Sequence, residues 1–257
     1  MPAESKDDVL TLIALGILAF IVADMTHEAL GHGLATLAVG AKSVILTTSY
    51  FGSSGSESRW IPAGGGIANV VVGCLFLVAS RVCRAASPRV RYFLVLGVAF
   101  NLLFATSYPF YSGVAAFGDW AGVISGLGPA WLWRLFLIVF SIMSYYLSLL
   151  LLAGEMRGFC GSSAPEALAR LRRITLIPYL AALAAACLAG ALNPRGWTNI
   201  LTAAAPAAAA AFGLTQLDHF SAVRSSDPSV PKAGPITRSL GWIAVAAAVL
   251  AVFVGII

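Results

Sequence analysis

The chain has 257 residues, of which 59% are hydrophobic and only 11% charged, against about a quarter charged in an ordinary soluble domain. That composition, with a mean hydropathy of +0.88 spread over several separate apolar runs, excludes a soluble globular protein. It predicts one polytopic, all-α integral membrane domain, in which the lipid bilayer is the solvent and backbone polar groups are satisfied inside helices. The net charge of +5 comes from basic residues clustered between apolar runs, which fits membrane topology and not a nucleic-acid face.

Taken in chain order, residues 1–8 are acidic rather than basic, and the apolar run that follows has no small-residue cleavage site, so the first helix is kept as structure. Seven spans are predicted, at roughly 9–26 (apolar character resuming to 39), 61–80, 92–111, 130–153, 174–192, 198–216 and 239–257, each near the ~20 residues that a bilayer core demands. In the sixth, Ala203–Phe212 is alanine-rich and interrupted by Pro206, the pattern of a shielded or re-entrant segment.

Between the first two spans, Ser43–Tyr50 is rich in β-branched residues and reads as a surface strand or hairpin, followed by a Gly/Ser loop. Pro165 and the following EALARLRR predict a short amphipathic helix before the fifth span. The four cysteines, Cys74, Cys83, Cys160 and Cys187, form no CxxC pair and read as small packing residues.

Orientation follows from lysine and arginine. Lys6, Arg81, Arg84, Arg89, Arg91, Arg157, Arg170, Arg172, Arg173, Arg224, Lys232 and Arg238 fall on one side; Lys42, Arg59, Arg134 and Arg195 fall on the other. The bias predicts a cytoplasmic N-terminus. Tyr108, Phe110, Tyr111, Trp120, Trp131 and Trp133 then read as an interfacial belt at the external boundary.

The chemistry concentrates in Thr26-His27-Glu28-Ala29-Leu30-Gly31-His32. Ionisable groups at membrane depth are costly and call for a function. Neutral imidazoles bind zinc, and a neighbouring glutamate can serve as general base, which is the logic of the HExxH helix. Here the histidines are five apart, which on a regular helix separates them by about 140°, against about 40° for a spacing of four. A π-bulge restores a common face, and Gly31 eases the distortion.

HEALGH resembles the HELLGH motif of dipeptidyl peptidase III over six residues. Over about residues 20–120 the chain resembles the site-2 protease family of intramembrane zinc metalloproteases. That family follows its histidine helix with a surface strand, a helix opening on a Gly-rich turn with an Asn, and a helix bearing NLL, proline and a zinc-binding Asp. The corresponding stretches here are Ser43–Tyr50, Pro62–Asn69 and Phe100–Leu103 with Pro109. Ser112-Gly113 stands where the family has Asp-Gly, and the nearest acid is Asp119.

The resemblance implies a zinc metallopeptidase acting on membrane-associated protein or peptide substrates. His27, His32 and Asp119 would hold Zn2+, Glu28 would be the catalytic base and Asn69 would contact substrate. Glu155, Asp218 and His219 compete as third ligand but fall near the opposite boundary. Asn69 and Asn101 have a plainer use as hydrogen-bonded helix ties. Rival functions are a catalytically silent scaffold or assembly subunit of the same fold, and another membrane metalloenzyme, such as a lipid hydrolase or a haem or copper protein.

Overall fold

The computed structural model describes residues 6–48, 50–160, 165–193, 196–201, 205–220 and 233–256. Arg195, Arg224, Lys232 and residues 202–204 of the sixth predicted span lie outside them. The described chain is mostly helical. Five helices are long and apolar enough to cross a membrane: α1 (Val9–Ala38), α2 (Trp60–Val82), α3 (Pro88–Ala115), α5 (Ala130–Cys160) and α6 (Pro165–Leu192). The protein is an integral membrane protein.

Local chemistry sets the helix starts. The Asp8 carboxylate accepts from the Thr11 backbone N–H at 2.9 Å and from its hydroxyl at 2.8 Å, capping α1. Ser87 caps α3, with Pro88 at the first helical position, where its missing N–H costs nothing. Ser239 caps α8 (Leu240–Phe253) in the same way.

Between α1 and α2, β1 (Lys42–Thr47) pairs antiparallel with β2 (Tyr50–Ser54), with an irregularity between Ser43 and Ile45. The predicted hairpin is present, and it takes half of the predicted Gly/Ser loop into its second strand. Two other expectations change. Pro62–Asn69 is not a turn but continuous helix within α2. The amphipathic stretch after Pro165 is the start of α6 itself, a single helix of 28 residues, because nothing interrupts its periodicity before the apolar run.

The region of the sixth predicted span forms no long helix among the described residues. It has a turn at Trp197–Asn199, then α7 (Ala205–Ala210), which tightens into a 3-10 stretch at Ala211–His219. The seventh predicted span is the shorter helix α8.

Helix α3 runs through the core. Phe20 of α1 meets Phe100 and Phe104 of α3 and Phe253 of α8 edge-on, with centroids 6.0–6.3 Å apart. Gly16 lets α1 meet α6 closely, since a Cβ there would lie 2.5 Å from Pro178 Cα. By contrast, Leu132, Phe136, Val139 and Met143 of α5 are exposed, as a lipid-facing helix requires. Of the cysteines, all free, only Cys160 is buried; Cys74 and Cys83 are exposed, so the packing role does not hold for those two.

One end of the bundle is tied by polar contacts. Arg170 at the start of α6 forks onto the Asp7 carboxylate at 2.8 and 2.9 Å and donates to the Phe159 carbonyl. Arg89 donates to Thr237 at 2.9 Å, Arg172 to Asp218 at 2.7 Å and Arg81 to Glu155 at 3.0 Å. The hairpin lies at the other end, where the Thr48 N–H donates to the Ile256 carbonyl at 3.2 Å.

Candidate metal centre

Residues Thr26–His32 of α1 form a π-helical segment. The wider turn brings two imidazoles five residues apart onto one face. Their ring centroids lie 4.9 Å apart with the planes nearly perpendicular. Both histidines are buried. One ligand atom from each of His27, Glu28 and His32 lies within 4.8 Å of the others.

The segment keeps this shape because α2 comes unusually close. A Cβ at Gly31 would lie 2.6 Å from the Gly64 carbonyl oxygen, and a Cβ at Gly65 would lie 2.5 Å from His27 Nε2. Only bare backbone leaves room there for the ring. Asn69, fully buried, donates from Nδ2 to the Ala23 carbonyl at 3.2 Å, just before the regular ladder gives way to the wider one. Asn69 thus ties α2 to α1 and is not among the residues lining the cavity described below. Asn101 does not bridge helices: it donates to the Gly97 carbonyl of its own helix.

The third partner arrives from the far end of α3. Arg134 donates to the Gly113 and Val114 carbonyls, both at 2.7 Å, closing that helix end. The chain then reverses through Ala116 (φ 52°) and Gly118 (φ 85°) into the short helix α4 (Asp119–Ile124). Gly118, not Asp119, is the N-cap of α4. The Asp119 carboxylate turns inward instead: Oδ2 lies 2.8 Å from His27 Nε2 and 3.3 Å from His32 Nε2. Burial works against its ionisation, but hydrogen bonds from the two imidazoles outweigh that and hold the carboxyl well below the usual range.

The proton inventory is informative. His32 Nδ1 lies 2.7 Å from the Ile61 carbonyl oxygen, which can only accept, so Nδ1 carries the hydrogen. Nε2 is then the nitrogen that faces Asp119 Oδ2, and it reaches that oxygen either as an N–H donor or through a cation between them. Two imidazole nitrogens and a carboxylate oxygen converging on one point need a shared proton or a cation between them, and the fixed tautomer is the usual outer-shell arrangement of a metal-binding histidine. His27, His32 and Asp119 supply the nitrogen and oxygen donors that zinc takes in three-ligand sites. Glu28 Oε2, alongside, is buried without a hydrogen-bond partner.

Aromatic rings wall the centre. Phe51 of β2 stacks on His32 with centroids 5.6 Å apart, and Tyr108 of α3 tilts against His27 at 5.5 Å. A cavity of about 360 Å³ opens beside His27 and Glu28, between α1, α3, α6, α7 and α8. Tyr108, Phe110 and Tyr111 line it, and Trp120 packs over Gly66. The predicted aromatic belt therefore divides, with those residues enclosing the site while Trp131 is exposed.

The competing third ligands are engaged elsewhere. Glu155 pairs with Arg81 and Asp218 with Arg172. Arg81 is sixteen residues along α2 from Gly65, or about 24 Å at 1.5 Å per residue. The acid that sequence reading passed over is Asp24, which is buried and lines the cavity. Its signal was available, as an acid inside the first apolar run and one helical turn before Glu28.

A scan of protein-family models, a search of curated proteins and a search of solved structures each give no match to the chain.

Proposed function

We propose that the protein is a membrane-embedded zinc metallopeptidase that cuts membrane-associated protein or peptide substrates. The observation that carries this is the convergence of His27 Nε2, His32 Nε2 and Asp119 Oδ2 beside Glu28, whose Oε2 is buried without a hydrogen-bond partner. His27, His32 and Asp119 would hold the ion. When bound, zinc supplies Lewis acidity and lowers the pKa of water.

The remaining steps belong to the chain. Glu28 takes the proton of the attacking water and passes it to the leaving amine, as a general base and then a general acid. Ile61 fixes the tautomer of His32, and Gly65 leaves room for the His27 ring. Asn69 serves the site by holding α2 against Ala23, a positioning role in place of the substrate contact expected from the sequence. Among the described residues β1 pairs only with β2, so its second edge is available to hold a substrate segment extended.

Seven crossings with a cytoplasmic N-terminus complete the reading. The contacts Asp7–Arg170, Arg89–Thr237 and Arg172–Asp218 support it by gathering at one end the chain segments that the charge bias puts on the cytoplasmic side. By that parity the segment from Trp197 to His219 returns the chain across the bundle, although its described residues form only short helices.

A second reading has one observation in its favour. The 2.8 Å contact of His27 with Asp119 is itself a good hydrogen bond, so the cluster could serve a catalytically silent scaffold as a structural tie. Metal analysis and a Glu28→Gln variant separate the two. The peptidase reading expects that variant to keep zinc and lose cleavage; the scaffold reading expects no zinc and no effect of the substitution.

A further inference from the structure

The cavity beside Glu28 contains more polar chemistry than peptide hydrolysis uses. Asp24 lies three residues before His27, only 7% exposed as a residue and with Oδ2 lacking any hydrogen-bond partner. Thr48, at the end of the hairpin, is 3% exposed, and its hydroxyl oxygen is likewise unpartnered. Both line the cavity. Neither belongs to the set assigned above to metal or proton transfer.

The other walls are mostly apolar, formed by Phe20, Phe104 and Phe253 with alanines of α6 and α7, and Ser107, Tyr108 and Tyr111 also line the cavity. No lysine or arginine lines the cavity among the described residues. Buried acceptors are nearly always satisfied, and one left without a donor is a cost that the fold carries. A purely apolar ligand leaves that cost in place, and an anion adds to it. A ligand that brings an apolar body and a donor tip matches the apolar walls and the two acceptors together. An ammonium is compact, freely rotating and offers three donors, which suits two oxygens contributed by different elements.

We propose that this cavity is a recognition pocket for an apolar group ending in a primary amine, with Asp24 as the counter-group and Thr48 as a second acceptor. In substrate terms, and resting there on the peptidase reading, the group is a lysine-type side chain next to the bond presented to Glu28. Asp24 is then a specificity-determining residue, set one helical turn from the base so that the occupant's backbone reaches the centre.

The test uses the full chain in detergent and measures binding of n-hexylamine and n-hexanol by calorimetry and thermal shift. The wild type is expected to bind the amine saturably and at least tenfold more tightly than the alcohol. Asp24→Asn should bring amine affinity down to that of the alcohol, and Thr48→Val should weaken the amine several-fold. Equal affinity of the wild type for the two probes overturns the proposal, as does an amine preference that survives in Asp24→Asn. The wild-type comparison stands even if the Asp24 variant fails to fold. Binding needs neither metal nor turnover, so the two readings fail separately: amine preference without zinc or cleavage removes the peptidase and keeps the pocket. Glu28-dependent cleavage without amine preference does the reverse.

Discussion

His27 touches Gly65 so closely that a single methyl group cannot be placed between them: a Cβ on Gly65 would lie 2.5 Å from Nε2 and 2.6 Å from Cε1 of the ring. The Nε2 atom of the first histidine is therefore positioned by the backbone of a second helix. Two transmembrane segments, and not one motif, make the centre.

Gly65→Ala should displace His27 and cost about 1–3 kcal/mol of stability, as overpacking of a filled site does. Gly33→Ala is the control, because a Cβ there meets nothing within 4 Å and replacing an interior helical glycine gains about 0.5–1 kcal/mol. Thermal unfolding of the two variants in one detergent, with zinc content measured alongside, should show opposite signs. A Gly65→Ala protein as stable and as metal-loaded as the wild type would contradict the packing account.

Gly118→Ala tests the delivery of Asp119. Gly118 sits at φ 85°, and a Cβ would lie 2.9 Å from the Tyr108 hydroxyl. Its φ of 85° with ψ −172° is an essentially glycine-only conformation that costs an L-residue about 1–3 kcal/mol, so the loop should relax and carry the carboxylate away. Metal affinity should fall by about tenfold or more, read by competition with a zinc chelator. Asp119→Asn should lose more, because the charge goes with the ligand.

Much of this centre was legible in the sequence. Two histidines, a glutamate and Gly31 in a seven-residue stretch of an apolar run require a widened turn if the rings are to meet, and the turn is there. Asp119 was legible as the acid nearest to the end of α3. What the sequence did not display are contacts made by backbone: the approach of Gly64 and Gly65, the Ile61 carbonyl that fixes a tautomer, and Phe51 arriving from a strand. Such contacts leave little composition signal. In the sixth span, the alanine-rich stretch interrupted by Pro206 marked a shielded or re-entrant segment, but alanine's high helix propensity could not show that its described residues form a short α-helix running into a 3-10 stretch.

Glu28→Gln removes the base while retaining the size of the side chain. Cleavage should fall by about 10²–10⁴-fold with zinc content unchanged. A variant as active as the wild type would remove Glu28 from the mechanism.

Asp8 gives a pH-dependent prediction away from the site. The backbone hydrogen bond from Thr11 is the largest influence on its carboxyl and holds it below the ordinary value of 3.8. A carboxyl with a lowered folded-state pKa stabilises the fold above its unfolded value, and that contribution is lost as pH falls through the folded value. Asp8→Ala should therefore lower stability by about 0.5–2 kcal/mol at pH 7. The difference from the wild type should shrink as the pH is taken below 3.8. Unfolding curves of both proteins at the two pH values check this, and a difference that persists at low pH would argue against the cap.

The most direct measurement is elemental analysis of the purified full-length protein, with X-ray absorption at the metal edge, for the wild type and for His27→Ala, His32→Ala and Asp119→Ala. The account predicts about one zinc per chain in a shell of nitrogen and oxygen donors without sulfur, lost in each variant. Wild-type protein free of zinc after purification in its presence, or zinc retained in all three variants, would contradict it.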